Sequence, residues 1–410
     1  MEFIITAAVL SAALLILSYA RPAQPLQRLM ARLSRAPAVT MLTGAGLAAG
    51  YRLFADPLAT SEWIAAGADV LLAALAFAAA TQFRVSELAK VCPASFRLTL
   101  GGAPLFLLIC GIAAFSFAPG LSLPAAFLVA GAMTLNGAAF DRRAVADAPT
   151  PAVIKAAVRL ESAAILALGL PVAVLLEGIA TAAPAGLPAA TPLFETAKSL
   201  FLGFAIGGSS GLAMASYDNK LKYNKKRAAA PIIAACFATL VAALLGASPV
   251  IAAAAAGLLW GEQTNAPIPT RVRIRSVVDR TFGPIGFFAF GVVLGPRIFQ
   301  ADMLTLIFAI FAVTIMRAAP RLISLSRSGL PVESQRFLAW YGGAPGLASG
   351  LFLMSLFDAP SVIAQDKILT VGAVAVTAGV LAARITAKPL LSAFLKQLLV
   401  ARKRRLFADG

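Results

Sequence analysis

The sequence predicts an all-α polytopic membrane protein of about thirteen transmembrane helices, with two six-helix halves inverted relative to each other. Three observations carry that expectation. Hydrophobic residues make up 60% of the 410-residue chain and charged residues only 13%. A water-soluble fold of this length cannot hide so much apolar surface, whereas lipid accepts it directly. The apolar residues also fall into successive stretches of near-spanning length, and basic residues crowd every second connection between them.

In chain order the spans are Phe3–Tyr19, Val39–Phe54, Glu62–Phe83, Phe96–Ala118, Leu121–Phe140, Val153–Leu176 and Phe194–Tyr217. They continue with Ala228–Gly246, the short Pro249–Trp260, Val277–Leu294, Met303–Ala319, Phe337–Phe357 and Val362–Ala383. Several fall short of the roughly 20 residues that a straight crossing needs, so their ends are set only to within a few residues. The first has no basic region ahead of its apolar stretch and reads as a retained helix, not a signal peptide.

Arginine and lysine set the orientation. If the first span enters from outside, 31 of the 35 basic residues fall in loops or tails on one side, leaving Arg52, Lys198, Arg297 and Lys367 opposite. This is the positive-inside pattern. It places the N-terminus outside and the C-terminus in the cytoplasm, in a bacterial-type inner (plasma) membrane. The basic clusters are thus explained by topology and by contact with anionic lipid. The formal charge of +17 is spread over seven segments, which disfavours nucleic acid as a partner.

Other function classes fall away on composition. Three cysteines, Cys92, Cys110 and Cys236, suggest neither a disulfide nor a metal site, and no cofactor is implied. There is no histidine, so any proton handling rests on carboxylates, lysines or water. No nucleophile–base set or phosphate-binding loop points to an enzyme.

The chain reads as a single membrane domain over 1–410, without a soluble domain. Its longest connection, Glu177 to Leu193, is an external loop rich in proline and alanine. The inverted halves run over approximately 1–177 and 228–400, with a linking helix at 194–217. Inverted repeats frame many secondary transporters, whose sites form where helices break near the midplane. Matched interruptions occur here. The fifth span carries Thr134-Leu135-Asn136-Gly137, and the twelfth carries Gly342-Gly343-Ala344-Pro345-Gly346. Proline removes a backbone donor and glycine loosens the helix, so both segments expose peptide groups that need a partner.

Several segments resemble the monovalent cation/proton antiporter superfamily, the sodium/proton exchangers in particular. Val158 to Ala164 looks like the Gly-Glu-Ser-Leu-Leu-Asn-Asp segment of the family's sixth helix. Ala235 to Glu262 is similar to its eighth and ninth helices, Phe282 to Phe288 with Gly291 to its tenth, and Trp340 to Gly350 to the Trp-Gly-Gly-Leu-Arg-Gly segment of its twelfth. The resemblance implies the antiporter fold, proton-coupled exchange of a monovalent cation, and a homodimer. The ion site departs from the family pattern. Asn136 and Gly137 stand where Thr-Asp is usual, Ile165 and Leu166 where Asn-Asp is usual, and Pro345 where an arginine is expected.

Of eighteen acidic residues, Asp69, Glu161 and Asp279 are the candidates for intramembrane acids. A charge there costs roughly 2.5–3.5 kcal/mol on insertion scales, so each asks for an explanation. Glu161 matches the family glutamate and sits about 12 Å into its helix at 1.5 Å per residue. It is the candidate proton or ion carrier, with Ser162, Asn136 and Gly137 as neighbouring ligands. Alternatively it forms a static bridge with Arg280 or Lys155, and Asp279 competes for Arg280. Asp69 reads as a snorkelling or helix-contact residue. Ser209 and Ser210, flanked by Gly207, Gly208 and Gly211, read as a close-packing stripe. Three functions stay open: a divergent cation/proton antiporter, a transporter of a neutral or anionic solute on the same fold, and a non-transporting sensor or scaffold.

Overall fold

A computed structural model describes residues 33, 36–51, 61–82, 84, 93–136, 142–182, 190–220, 230–358 and 365–408. The span expected at Phe3–Tyr19, and Gly137, lie outside the described residues. Everything regular among those described is helical. The helices are α1 Pro37–Tyr51, α2 Ser61–Ala80, α3 Pro93–Phe117, α4 Leu123–Thr134, α5 Arg142–Asp147, α6 Ala152–Ala182 and α7 Ala190–Lys220. There follow α8 Ala230–Leu244, α9 Pro249–Gln263, α10 Ile268–Ile298, α11 Met303–Leu325, α12 Val332–Tyr341, α13 Leu347–Ser355 and α14 Gln365–Ala408. Seven stretches among them are long and apolar enough to cross a membrane, and the chain is an integral membrane protein.

Helix packing follows the small residues. Lipid tails are as apolar as leucine, so helices associate where backbones approach closely. On α7, a Cβ on Gly207 or Gly211 would run into the carbonyls of Ala252 and Ala256 on α9. Ser209 Oγ donates to Ile206 O at 2.9 Å and Ser210 Oγ to Ala234 O at 3.3 Å. The glycine–serine stripe is therefore a packing surface, as its composition suggests.

Several helices run past the expected span ends, and in three of them charged residues are drawn into the helix. The sixth was expected to end at Leu176 but continues to Ala182, which brings Glu177 into the helix. The tenth begins at Ile268, not near Val277, so Arg271 and Arg275 are helical and buried. The eleventh was expected to end at Ala319 but continues to Leu325, with Arg317 and Arg321 buried on it. Arginines read as loop residues are therefore part of the helical bundle. Hydropathy alone shortens a span near arginines, because it does not register a partner waiting inside.

Helix α11 also carries a π-turn at Ala312–Met316, directly before Arg317. A π-turn inserts one residue into the helical ladder and rotates everything after it. Helix α3 has one at Leu98–Gly102, beside the same stretch: Gly102 lies against Arg321.

Candidate functional site

The two interrupted spans meet. Helix α4 stops at Thr134, and the chain leaves helical geometry at Leu135 and Asn136. Between α12 and α13 it is unwound from Gly342 to Gly346. Asn136 and Pro345 form an antiparallel β-bridge across these segments. Each helix fragment thereby ends inside the protein, where its last carbonyls or first amides have no intrahelical partner.

Those orphan groups are satisfied individually. At the α12 end, Leu338, Ala339 and Trp340 would each be paired by a residue beyond Tyr341, but the helix has stopped. Arg321 supplies Nε to Ala339 O at 3.0 Å and Nη2 to Leu338 O at 2.6 Å. Arg317 supplies Nη2 to Trp340 O at 3.0 Å. Two guanidinium groups thus cap a helix C-terminus, the end at which the helix dipole favours a cation. At the α13 end, Ser349 Oγ accepts from Gly346 N at 3.3 Å and donates to Leu135 O at 2.5 Å. That hydroxyl ties one unwound segment to the other.

Glu161 completes the cluster. It is 2% exposed, and both its oxygens accept from Arg321, Oε2 from Nη2 at 3.0 Å and Oε1 from Nη1. A buried charge requires this kind of pairing, and the planar guanidinium provides it in a fork that also reaches the carbonyls. The chain comes close around the pair. A Cβ on Gly342 would lie 2.7 Å from Arg321 Nη2 and 2.9 Å from Glu161 Oε2, and Gly343 holds φ +72° against the same guanidinium. Only glycine combines that backbone angle with that proximity.

The partner assigned from sequence is therefore corrected. Glu161 bonds to Arg321 of α11, where Arg280 or Lys155 was expected. Asp279 does not compete for Arg280 either: its carboxylate takes Arg275 Nε at 2.9 and 3.0 Å, one turn back along α10. Arg275 Nη1 goes on to Leu75 O at 3.1 Å, tying α10 to α2. Arg280 is half-buried on the next residue of that helix.

The other expected residues fall around the crossing in different ways. Asn136 is 4% exposed, and its Oδ1 has no hydrogen-bond partner among the described residues. Ser162 is buried, and its hydroxyl donates back to Arg159 O of its own helix at 3.3 Å, which leaves its lone pairs unused. Ile165 and Leu166 are packed inside at 5% and 0% exposure and offer no ligand. What sequence reasoning missed is the pair Arg317 and Arg321. Their spacing of four places both on one helical face, and that signal was present at the end of the eleventh span.

A transmembrane sodium/hydrogen exchanger profile matches residues 14–393. The chain belongs to the sodium/hydrogen exchanger family. Among solved structures, this exchanger is similar to the sodium proton antiporter MjNhaP1 from Methanocaldococcus jannaschii at pH 8, with TM-score 0.68 and 17% identity over 94% of this chain and 99% of that one. It also resembles the MjNhaP1 electron-microscopy structure, with TM-score 0.56 and 16% identity over 97% of each chain. At these identities the likeness is one of fold. No curated protein matches by sequence.

Proposed function

We propose that this exchanger-family protein is a secondary active antiporter that moves a monovalent cation against protons by alternating access. Its site lies where the unwound segment after α4 crosses the one between α12 and α13. The supporting observation is Asn136 Oδ1, a buried acceptor without a partner at the point of crossing. Leaving such a group unpaired costs about 1–3 kcal/mol, which an incoming cation offsets. Gly137, the next residue of the break, and Ser162 are further members of the site in this reading.

Glu161 is the coupling carboxylate. An ion entering beside it competes with Arg321 for its charge, and a proton replaces the ion when it leaves. Arg321 is not stranded by that exchange, because it retains the carbonyls of Leu338 and Ala339. With Ile165 and Leu166 apolar, the ion draws its oxygens from the breaks instead of from α6. One bundle moves against the other within the framework of inverted halves over 1–177 and 228–400, linked at 194–217. The inner membrane, a cytoplasmic C-terminus and a homodimer belong to the same proposal, the first two from the basic-residue asymmetry and the third from the family resemblance.

A second reading, transport of an anionic solute, is supported by Arg317. Among the described residues at the crossing, two buried guanidiniums face one carboxylate. Proteoliposomes loaded with a pH-sensitive dye test both. Sodium or potassium gradients are expected to drive proton movement in the wild type and none in Glu161→Gln. Undiminished exchange in that variant removes Glu161 from the coupling role, and proton movement driven only by anion gradients favours the second reading.

A further inference from the structure

A cavity of about 200 Å³ lies where four helices of the bundle meet. It is walled by the middle of α2, the second half of α6, the start of α9 and the end of α13. Asp69 and Glu177 both line it, together with Ser248 and Ser355, and no basic side chain does. The rest of the wall is apolar and includes Leu72, Leu170 and Phe352.

Glu177 is the anomalous group. Among the described residues its carboxylate meets no hydrogen-bond donor and no cation. An acid placed within a membrane-spanning helix, against an apolar wall and without a partner, is expensive. The cavity supplies what would offset that cost. An ionised Glu177 carboxylate only accepts, so it calls for a positive ligand in this space, and Asp69 adds a second acid to the same wall. The two hydroxyls add oxygens. Ser355 donates its proton to Phe352 O at 2.7 Å, and Ser248 accepts weakly from Ile251 N at 3.4 Å, so both keep lone pairs. A volume of 200 Å³ accommodates an ion with several of its waters, at about 30 Å³ each.

We propose that Asp69 and Glu177 form a binding site in this cavity for a hard cation, held by carboxylate and hydroxyl oxygens with part of its water shell retained. The site is separate from the crossing, and it does not require that the chain transport anything.

The test is equilibrium dialysis of the purified full-length protein in detergent at mildly alkaline pH, against radioactive sodium and, separately, radioactive calcium. No gradient is present, so the result is independent of antiport. One of the two cations is expected to bind the wild type, with affinity reduced about tenfold or more in Glu177→Gln and in Asp69→Asn. The exposed Glu195→Gln is expected to leave binding unchanged. Val174→Phe, which fills the cavity and spares both acids, is expected to lose binding, and it serves if Glu177→Gln does not assemble. Whichever cation is bound identifies the ligand. Binding of neither, or binding undiminished in the variants, overturns the proposal.

Discussion

Arg321 is bound in two directions at once, to the Glu161 carboxylate and to the carbonyls of Leu338 and Ala339. The consequences of removing one partner and of removing both are therefore different. Breaking a buried ion pair by deleting one member leaves an uncompensated charge and costs about 3–5 kcal/mol. Glu161→Leu and Arg321→Met are each expected to lower the melting temperature sharply. The double variant is expected to recover much of the loss, because neither member of the Glu161–Arg321 pair is left without the other. It stays below the wild type, since the carbonyls of Leu338 and Ala339 lose their donor while Trp340 keeps Arg317. A thermal-melting cycle on detergent-solubilised protein checks this, and additive losses would show that the two residues are not coupled. Gly343→Ala is expected to be destabilising by itself, for the φ of +72° and the adjacent guanidinium leave no place for a methyl group.

At the scale of elements, the breaks were legible and what fills them was not. Asn136-Gly137 and Gly342 to Gly346 announce themselves because proline and glycine remove donors and relax the helix whatever surrounds them. Arg317 and Arg321 look like the start of a loop, because a hydropathy pattern records their charge but not the carbonyls that another segment leaves unpaired. Glu177 was lost in the same way, one residue beyond the expected end of its span. A clasp between the start of α11 and the start of α14 shows the same limit. Asp302 caps α11 by accepting from Thr305 N at 2.7 Å, and its other oxygen takes Lys367 Nζ at 2.5 Å. Arg297 Nη1 reaches Asp366 Oδ1 at 2.6 Å alongside it. The Lys367 contact, followed by the Thr305 bonds, pulls the Asp302 carboxyl down to about 2. A folded-state value below the ordinary one means the clasp is fully formed above the ordinary carboxylate range and fails only as pH drops towards 2. Melting temperature is accordingly expected to carry no contribution from Asp302 that varies between neutral and mildly acidic pH. Asp302→Ala should cost about 0.5–2 kcal/mol through the lost cap. A large pH-dependent gain in that variant would contradict the assignment.

The whole molecule joins a familiar architecture to an unusual centre. Family membership and the antiporter fold were readable from segment order, since apolar spans, matched breaks and glycine-rich packing faces survive where ligands change. In the proposed site, apolar Ile165 and Leu166 stand where the family resemblance implies Asn-Asp, while Asn136 is left at the crossing with an unused acceptor. If that acceptor serves a transported ion, it costs stability in the empty protein. If it serves only architecture, nothing is gained by keeping it. Replacing it with an apolar side chain of similar size separates these cases, because an unpaired buried acceptor can be exchanged for a hydrocarbon with little loss or a gain in stability. The deciding measurement is cation-driven proton movement in proteoliposomes of Asn136→Leu, taken together with its melting temperature. The account predicts a protein at least as stable as the wild type in which exchange is abolished. Exchange retained at the wild-type rate would contradict a site at the crossed segments.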